Sequence, residues 1–577
     1  MPVYLSPACA CRQGALDLPP SPRPPAIGSR ATGQSVTGRG WRAGQAGIAA
    51  VLLLLSCALA SARPDERPNI LLIVADDLGY ADLGAYGSDI ATPHLDALAR
   101  QGVLFTQFQT APMCAPTRAM LLSGNNNHVA GMANQQREGI LGRPYPGYEN
   151  GLSSRVAPLP RLLRDAGYHT YSVGKWHLGL TPEQSPTAAG FTRSWNMLDG
   201  AGTHYDGVGF ENRPSTFWRD GDYTSYPDGE YATQWYTDRL IEFIEDGRGD
   251  GKPFFAYAAY TAPHWPLQVP AAERDRYAGR FDDGYDALRR RRFESLIDAG
   301  IVARGSPMPQ RNPAITPWEE LDEKQKRREA RKMELYAAMV SNLDGHIGRL
   351  LAYLRDAGEL DNTLVVFMSD NGAAAEDFYN RGPFIDYLRA RFDNGYENMG
   401  TQKSFVSYGP QWAEASSAAF SRHKTYTRQG GIVAPMIIAG RGVVQHDVVE
   451  RDLVTVMDLA PTILDAAGVA YPDDQSLVAP EGETLLPLLQ GEQDAAHDDG
   501  YAVALYHRGR AFLRQGSWKL VTLEPPFDES KFELYDVERD PGETTDLAAD
   551  LPEKYRELLG LWRRERRRLG IVLPQDL

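Results

Sequence analysis

Cysteine is scarce in this chain of 577 residues, which contains only four. Three of them, Cys9, Cys11 and Cys57, lie within the first 62 residues, so Cys114 is the only cysteine in the rest of the chain. A single cysteine cannot form an internal disulfide bond, which excludes a disulfide-stabilised scaffold for residues 63–577. Cys114 is then either a buried core residue or a residue with a chemical role.

An excess of positive charge is also lacking. The chain has 60 Lys and Arg residues against 75 Asp and Glu residues, a formal net charge of −15 at pH 7. Proteins that bind nucleic acids or anionic membranes need a basic surface, so we expect neither kind of partner. An anionic small molecule would need a local basic pocket in this acidic protein.

Long hydrophobic runs are scarce too. The apolar run at residues 47–60 is too short for a comfortable transmembrane span, and we expect no stable one. Arg39 and Arg42 precede this run and Ala60-Ser61-Ala62 follows it, a pattern typical of a secretory signal peptide. We therefore predict a leader and signal peptide over residues 1–62.

The leader predicts an exported protein, periplasmic or secreted. Cys57 follows Leu54-Leu55-Ser56, which leaves a lipoprotein anchor at Cys57 as a second interpretation with less weight.

Apolar β-prone runs alternate with helical patterns in the remaining chain, which predicts parallel strands joined by right-handed crossovers. The runs are 69–75, 103–108, 168–173, 253–260, 363–368 and 434–439. The helical patterns are 92–99, 158–166, 231–245, 333–354 and 453–467.

The predicted fold class is α/β, with a large, mostly parallel sheet, helices on both faces and a smaller C-terminal α+β domain. We place the large domain at residues 63–495, with a charged insertion at about 270–330 in which the arginines 289–292 form a solvated helix face. Residues 496–577 hold short strands, which predict a short antiparallel sheet, and a basic helix at 551–569. No elements are predicted for residues 378–419.

Polar side chains follow four of the predicted strands. Because the carboxyl ends of parallel strands lie at one edge of a sheet, these side chains are expected to converge. They are Asp76, Asp77, Lys175, His177, His264, Asp370 and Asn371.

Asp76, Asp77, Asp370 and Asn371 offer oxygen ligands without histidine or thiolate. This set suits a hard divalent cation such as Ca²⁺ or Mg²⁺ rather than Zn²⁺. Nearby positive groups would offset the carboxylates and bind an anionic group. Those groups are Arg118, Lys175, His177, His264 and Lys424.

Each of these residues is a weak signal when taken alone. An Asp after a strand is more often a turn or cap residue, and an isolated lysine is more often a surface residue. For His264, between Pro263 and Trp265, a satisfied core histidine is the main alternative.

Cys114 precedes a predicted short helix that has Pro116 at its first position and stops at Gly124. At such a helix N-terminus, free N–H groups and the macrodipole favour an anion. Arg118 adds a positive charge one turn further on.

The segment Cys114-Ala-Pro-Thr-Arg118, followed by Leu121-Leu-Ser-Gly124, resembles the Cys-x-Pro-x-Arg signature of the sulfatases. Gly174-Lys-Trp-His-Leu-Gly179 looks like their second signature. The Asp-Asp, Pro-His-Trp and Ser-Asp-Asn-Gly elements have the same order and similar spacing. From about Pro68 to the C-terminal helix, the chain is most similar to bacterial arylsulfatases of the alkaline-phosphatase superfamily, which implies their fold.

The resemblance also implies that a formylglycine-generating or equivalent maturation enzyme oxidises Cys114 to Cα-formylglycine, which is hydrated to a diol. One diol oxygen would bind the metal beside Asp76, Asp77, Asp370 and Asn371. Asp370 would help to deprotonate this oxygen, which would attack sulfur.

The same resemblance assigns the cationic residues. His264 would protonate the leaving oxygen together with Lys424, and His177 would take a proton from the second hydroxyl and expel sulfate. Lys175, Lys424 and His264 would bind the sulfate group, and Arg118 would hold the diol.

We therefore expect a sulfuric ester hydrolase of the arylsulfatase type that depends on Ca²⁺, in preference to Mg²⁺. It would act on a small sulfated ester and release inorganic sulfate with an alcohol or phenol. One alternative is a phosphomonoester or phosphonate-ester hydrolase of the same superfamily. The other is a protein that binds sulfated ligands without turnover if Cys114 is unconverted.

Overall fold

The computed structural model describes residues 66–135 and 145–577. The predicted leader at 1–62, including Cys57, lies outside these residues. Within the two described ranges, no helix combines the length and apolar character needed to cross a bilayer.

The described strands form one large sheet and two smaller ones. They are β1 (Asn69–Ala75), β2 (Gly102–Phe105), β3 (Phe108–Gln109), β4 (His169–Lys175), β5 (Arg193–Met197), β6 (Phe217–Arg219), β7 (Asp222–Thr224), β8 (Phe254–Ala259), β9 (Thr363–Ser369), β10 (Met436–Gly440), β11 (Val448–Glu450), β12 (Val454–Thr455), β13 (Ala502–His507), β14 (Arg510–Gln515), β15 (Trp518–Val521) and β16 (Glu533–Asp536).

The α-helices of the described chain range from four to 34 residues. They are α1 (Pro93–Arg100), α2 (Cys114–Ser123), α3 (Leu159–Asp165), α4 (Pro186–Ala189), α5 (Ala232–Gly247), α6 (Gly284–Asp298), α7 (Glu323–Asp356), α8 (Ile385–Arg389), α9 (Gly409–Ser417), α10 (Gln429–Ile432), α11 (Leu459–Ala466), α12 (Leu486–Leu489) and α13 (Pro552–Arg568).

The large sheet has ten strands in the order β11-β2-β10-β9-β1-β8-β4-β5-β6-β7. Its central strands β9, β1, β8, β4 and β5 are parallel, while β10 and β6 run antiparallel to their neighbours. Helices pack against this sheet, and the predicted α/β fold class is confirmed.

Strand β1 occupies the centre because its side chains are apolar on both faces, and every residue of β1, β8 and β9 is buried. The parallel register pairs Ala75 with Ser369 and Val74 with Ala259. The residues that follow these three strands therefore emerge at the same edge of the sheet.

Helix α7 is longer than the predicted helix at 333–354. It begins at Glu323 because Asp322 and Gln325 form a capping box before a polar first section. Apolar periodicity could not reveal those turns, since few of their side chains are buried. In the same way, the predicted helix at 453–467 is shorter in the structure, where β12 and a single 3₁₀ turn precede α11.

The interpretation of residues 289–292 as a solvated helix face is wrong for two of the four arginines. They lie on α6, where Arg289 and Arg292 are buried. Arg289 pairs with Glu414 at 3.5 Å and Arg292 pairs with Asp82 at 2.5 Å. Both carboxylates lie more than 100 residues away in sequence, so the local pattern could not indicate these pairs.

The C-terminal part contains an antiparallel sheet in the order β13-β14-β15-β16 and the helix α13. Leu558 and Trp562 of α13 are fully buried in the apolar cluster beside this sheet. The predicted small antiparallel sheet is confirmed, while the domain boundary near residue 495 stays a prediction.

Candidate active site

The ends of β1 and β9 bring three aspartates and one asparagine together. Asp76 and Asp77 follow β1, and Asp370 and Asn371 follow β9; all four are buried. The backbone N–H of Asp77 donates to Asp370 Oδ1 at 3.1 Å, and Asn371 Nδ2 donates to Asp77 Oδ1 at 2.6 Å. Asp77 has a φ of 64°, a left-handed conformation that is uncommon for a residue other than glycine. The backbone turn thus directs both aspartates into one small space.

Cys114 is the first residue of α2, with Met113 as the N-cap. The helix starts two residues before the predicted start at Pro116, because the carbonyl oxygen of Met113 already accepts the N–H of Thr117 at 3.2 Å. Cys114 is 1% exposed, and its Sγ lies 3.5 Å from Asp77 Oδ1.

The surroundings of Cys114 oppose a thiolate. Burial, together with the charges of Asp370 and Asp77, raises the pKa of the Cys114 thiol well above its ordinary value. These effects outweigh the helix dipole that favours an anion at this position. The unmodified thiol is therefore protonated and is a poor nucleophile.

Arg118 and Lys175 oppose the carboxylates from one side. The Arg118 guanidinium donates to Asp370 Oδ2 from Nε at 3.0 Å and from Nη2 at 2.8 Å. Lys175 Nζ donates to the two oxygens of Asp76 at 2.7 and 2.9 Å. Burial disfavours the charge on Lys175, but the Asp76 carboxylate raises its pKa above the ordinary value. Arg118 and Lys175 therefore stay charged, and Asp370 and Asp76 hold them in place.

Lys424 and His264 face Asp77 from the other side. Lys424 Nζ donates to Asp77 Oδ2 at 2.7 Å, and His264 Nε2 lies 3.1 Å from the same oxygen and 3.4 Å from Lys424 Nζ. Although burial opposes its charge, Asp77 keeps the pKa of Lys424 well above the ordinary value. Burial alone would raise the pKa of Asp77, but the ammonium groups of Lys424 and Lys175 hold it well below its usual range.

The ring of His264 has a defined orientation. Its Nδ1 lies 2.7 Å from the carbonyl oxygen of Trp265, which can only accept, so Nδ1 carries the hydrogen. Nε2 then faces Asp77 and Lys424. Burial and the nearby Lys424 ammonium lower the pKa of His264 well below 6.5, with Asp77 opposing them. At neutral pH, Lys424 is therefore the protonated member of this pair.

His177 follows β4 in a left-handed conformation with a φ of 60°. Its ring packs against Gly200, where an added Cβ would lie 2.5 Å from the ring atoms Cε1 and Nε2. Burial and the charges of Lys175 and Arg118 lower its pKa well below 6.5. His177 Nδ1 is buried without a hydrogen-bond partner in the described ranges. His177 is thus neutral and able to accept a proton.

The carboxylate cluster suits a divalent cation. Ligand atoms of Asp76, Asp77, Cys114 and His264 lie within 4.8 Å of one another. Buried Asn371 Oδ1 has no hydrogen-bond partner among the residues that the structure describes. Burial raises the pKa of Asp76 to about 8 despite Lys175, with Asp370 and Asp77 acting in the same direction. Clustered carboxylate oxygens and this amide oxygen fit a hard metal ion such as Ca²⁺.

A cavity of about 420 Å³ opens onto this cluster and is lined by Cys114, His177, His264 and Lys424. The sequence did not indicate most of its walls, because they come from loops without periodicity and from the region 378–419. The wall residues that were not predicted include Asp199, Gly200, Phe210, Glu211, Arg213, Trp265, Glu376, Phe378, Phe384 and Arg508.

Part of the cavity wall is aromatic. The ring of Phe210 lies 5.3 Å from that of Phe378 in a stacked arrangement and 5.1 Å from that of Trp265 edge to face. Phe384 contacts Phe210 edge to face at 5.4 Å. The position of Trp265 directly after His264 is the one signal in the sequence that could have indicated this wall.

Two protein-family models match this chain. The model of the Sulfatase family matches residues 68–469, and the model described as "N-sulphoglucosamine sulphohydrolase, C-terminal" matches residues 422–562. An uncharacterized sulfatase of Schizosaccharomyces pombe is 38% identical over 535 residues, which cover 89% of this chain and 95% of that protein.

An arylsulfatase of Klebsiella aerogenes is 38% identical over 429 residues, which cover 73% of this chain and 91% of the relative. Among solved structures, Ps i-CgsB in complex with k-i-k-neocarrahexaose has a TM-score of 0.61 and 24% identity. That match covers 88% of this chain and 93% of the solved chain, and it shows a shared fold.

Proposed function

The chain belongs to the sulfatase family and is a sulfuric ester hydrolase, and on this premise we propose an arylsulfatase-type activity that depends on Cα-formylglycine at position 114. The substrate is a small sulfated ester, and the products are an alcohol or phenol and inorganic sulfate. The observation that supports the proposal is that four residues line the same cavity: Cys114, His177, His264 and Lys424.

Conversion of Cys114 to formylglycine provides a nucleophile, because the protonated thiol is a poor one. Hydration of the aldehyde gives two hydroxyls on one carbon, in the place where Sγ lies 3.5 Å from Asp77 Oδ1. One hydroxyl attacks sulfur, and the bond between sulfur and the leaving oxygen breaks. Asp370 assists deprotonation of that hydroxyl, and Arg118, which donates to Asp370, holds the diol in place.

The paired groups Lys424 and His264 deliver a proton to the leaving oxygen. Lys424 is protonated and lies 3.4 Å from His264 Nε2, so the pair can hold one proton between two nitrogens at the cavity wall. Lys175, Lys424 and His264 bind the oxygens of the sulfate group.

Neutral His177 completes the cycle. It removes the proton from the second hydroxyl of residue 114, the bond between carbon and the sulfated oxygen breaks, and the aldehyde is restored as sulfate leaves. The depressed pKa of His177 keeps the ring available as a base over the neutral range.

We propose Ca²⁺ as the metal. Its ligands would be Asp76, Asp77, Asp370 and Asn371, with residue 114 as a further ligand. When bound, the ion would offset the charge of the carboxylates and lower the pKa of a hydroxyl beside it. Asn371 Oδ1 and the raised pKa of Asp76 support this assignment.

The aromatic wall supports a leaving group with an apolar ring. Phe210, Phe378 and Phe384 offer ring faces and edges at the cavity. The ring of an aryl ester fits this feature.

We further propose that a formylglycine-generating or equivalent enzyme modifies Cys114 before the chain folds, because Cys114 is 1% exposed in the folded protein. The leader predicted at 1–62 supports export to the periplasm or the medium.

The activity is tested with p-nitrophenyl sulfate and p-nitrophenyl phosphate as matched substrates. We expect sulfate-ester turnover to dominate, whereas a dominant phosphatase activity would replace the proposal by a phosphomonoester hydrolase. Mass spectrometry of the tryptic peptide 101–118 measures the state of residue 114. An active preparation in which this residue is entirely unmodified cysteine would contradict the mechanism.

A further inference from the structure

We propose that Glu543, near the C-terminal sheet, is a positioning residue for the reaction, because its carboxylate holds the segment that presents Lys424 to the cavity. This proposal rests on the proposed function in one respect, the assignment of Lys424 to sulfate binding and proton delivery. We call residues 418–432 the Lys424 loop.

The Lys424 loop has an unfavourable backbone conformation. Ala418, Arg422 and Thr425 have φ values of 34°, 67° and 80°, in the left-handed region that residues other than glycine seldom adopt. Thr425 is β-branched, which makes this conformation particularly costly. Such a backbone persists only when surrounding contacts hold it in place.

On one side, the Lys424 loop contacts the catalytic segments through its backbone. The N–H of Lys424 donates to the carbonyl oxygen of Ala373 at 3.1 Å, and the N–H of Thr425 donates to that of Pro112 at 2.8 Å. Gly372 packs so closely on Gly430 that an added Cβ would lie 1.9 Å from the Gly430 carbonyl oxygen. The loop therefore lies directly against the residues that precede Cys114 and follow Asn371.

On the other side, Glu543 contacts the loop directly. Its Oε2 accepts the backbone N–H of Gln429 at 2.8 Å, and its Oε1 accepts from Lys519 Nζ at 2.8 Å. Lys519 Nζ also donates to Gln429 Oε1 at 3.1 Å. Thus Glu543 and Lys519 of β15 hold both the backbone and the side chain of Gln429.

Further contacts from the C-terminal strands reinforce this attachment. Thr427 Oγ1 donates to the carbonyl oxygen of Thr522 at 2.9 Å. Arg428 Nη2 donates to Glu533 Oε2 at 2.6 Å and to the hydroxyl of Tyr535 at 2.8 Å. Thr427, Arg428 and Gln429 lie three to five positions from Lys424, so a shift of the attachment is transmitted to its ammonium group.

The burial of the pair indicates a positioning role. The Lys519 and Glu543 side chains are both 0% exposed, and removing such charges from water is costly. Apolar residues would pack here with less penalty, but they could not accept the N–H of Gln429. Glu543 provides that acceptor and defines where the loop lies.

The test compares Glu543→Gln with Leu558→Ala. Glutamine has one acceptor oxygen, so it cannot accept from both Gln429 N–H and Lys519 Nζ as the two oxygens of Glu543 do. Leu558 lies in the apolar cluster of the C-terminal part, whose described members include no residue of the Lys424 loop, and it does not line the cavity, so its truncation controls for a loss of stability. We expect Glu543→Gln to lower kcat/KM for p-nitrophenyl sulfate about 10- to 100-fold, as misplacement of a catalytic group does. We expect Leu558→Ala to lower Tm and to leave kcat/KM within about twofold of the parent.

A double-mutant cycle distinguishes an effect of Glu543 that acts through Lys424 from a general loss of activity. In the Lys424→Ala background, Glu543→Gln should change kcat/KM less than about twofold, because the group that it positions is gone. Inhibition by inorganic sulfate is the second readout, and its inhibition constant should rise about tenfold in Glu543→Gln and stay constant in Leu558→Ala. Equal losses in both Lys424 backgrounds, or an unchanged sulfate inhibition constant, would overturn the proposal.

Thr427→Val serves as a second variant should Glu543→Gln fail to fold, since it removes one contact of the same attachment and keeps the side-chain shape. It should show the same dependence on Lys424 with a smaller loss. Absence of sulfatase turnover in the parent enzyme with converted residue 114 would refute the proposed function itself. If the parent enzyme turns over the sulfate ester and the effects of Glu543→Gln and Lys424→Ala on kcat/KM are additive, only the role of Glu543 is refuted.

Discussion

Truncation of Phe210 to alanine tests whether the leaving group is an aromatic ring. Phe210 is half-buried, lines the cavity and contacts Trp265, Phe378 and Phe384 through its ring. It makes no contact with the carboxylate cluster among the hydrogen bonds and ion pairs of the described chain. The variant should therefore keep the catalytic groups in place and lose part of the binding surface for the ring.

The size of the effect follows from the area that one ring face covers. Roughly 40 Å² of apolar surface at about 25 cal/mol/Å² gives about 1 kcal/mol. An aromatic pair adds about 0.5–1.5 kcal/mol. The sum, about 1.5–2.5 kcal/mol, corresponds to a loss in kcat/KM of about 10- to 70-fold for an aryl sulfate.

The assay compares p-nitrophenyl sulfate with methyl sulfate, which has the same charged group and no ring. Phe210→Ala should lower kcat/KM for the aryl ester and leave that for methyl sulfate within about threefold of the parent. Phe210→Leu, which keeps apolar volume without a ring face, should fall between parent and alanine variant. Equal losses for the two substrates would show that Phe210 acts on the catalytic groups and would refute the ring-binding argument.

Three further predictions concern the nucleophile, the metal and a buried lysine. Cys114→Ala should abolish turnover of p-nitrophenyl sulfate while the circular dichroism spectrum stays that of the parent; substantial residual activity would argue against covalent catalysis. Chelation should lower Tm and activity together, and Ca²⁺ at 100 times its Kd should restore about 2.7 kcal/mol of stability; an unchanged Tm would count against a metal at the carboxylate cluster. Burial lowers the pKa of Lys519 from 10.5 to about 8, so between these two values the unfolded state binds more protons than the folded state, and stability should rise with pH by up to about 3 kcal/mol. Denaturant titrations of the parent against Lys519→Met at pH 7, 8 and 10 measure this, and parallel pH profiles would contradict it.

Much of the fold could be predicted from the sequence because buried parallel strands are apolar on both faces and because amphipathic helices precede several of them after short loops. The strands β1, β8 and β9 start and end within about two residues of the predicted runs. Errors arose where a side chain depends on a distant partner. Arg289 and Arg292 are buried because Glu414 and Asp82 neutralise them, and nothing near 289–292 in the sequence indicates that.

The residue types and order in the sequence determined which groups are available for chemistry. A parallel sheet places the residues that follow its strands at one edge, which predicted that the acidic residues, Lys175, His177 and His264 lie together. Cys114 and Arg118 were predicted from the start of a short helix. Lys424 follows no predicted strand, and the resemblance to the sulfatases implied its role. Their roles in catalysis and metal binding stay proposals that the experiments above address.

Only the tertiary structure decided the state of those groups and the shape of the cavity. The pKa of a buried side chain depends on which charges surround it, and the sequence does not specify those distances; burial and two carboxylates keep the Cys114 thiol protonated at a helix N-terminus that by itself favours an anion. The aromatic wall and the attachment of the Lys424 loop to Glu543 likewise join residues far apart in the chain. Long-range packing creates both features, and no local periodicity records it.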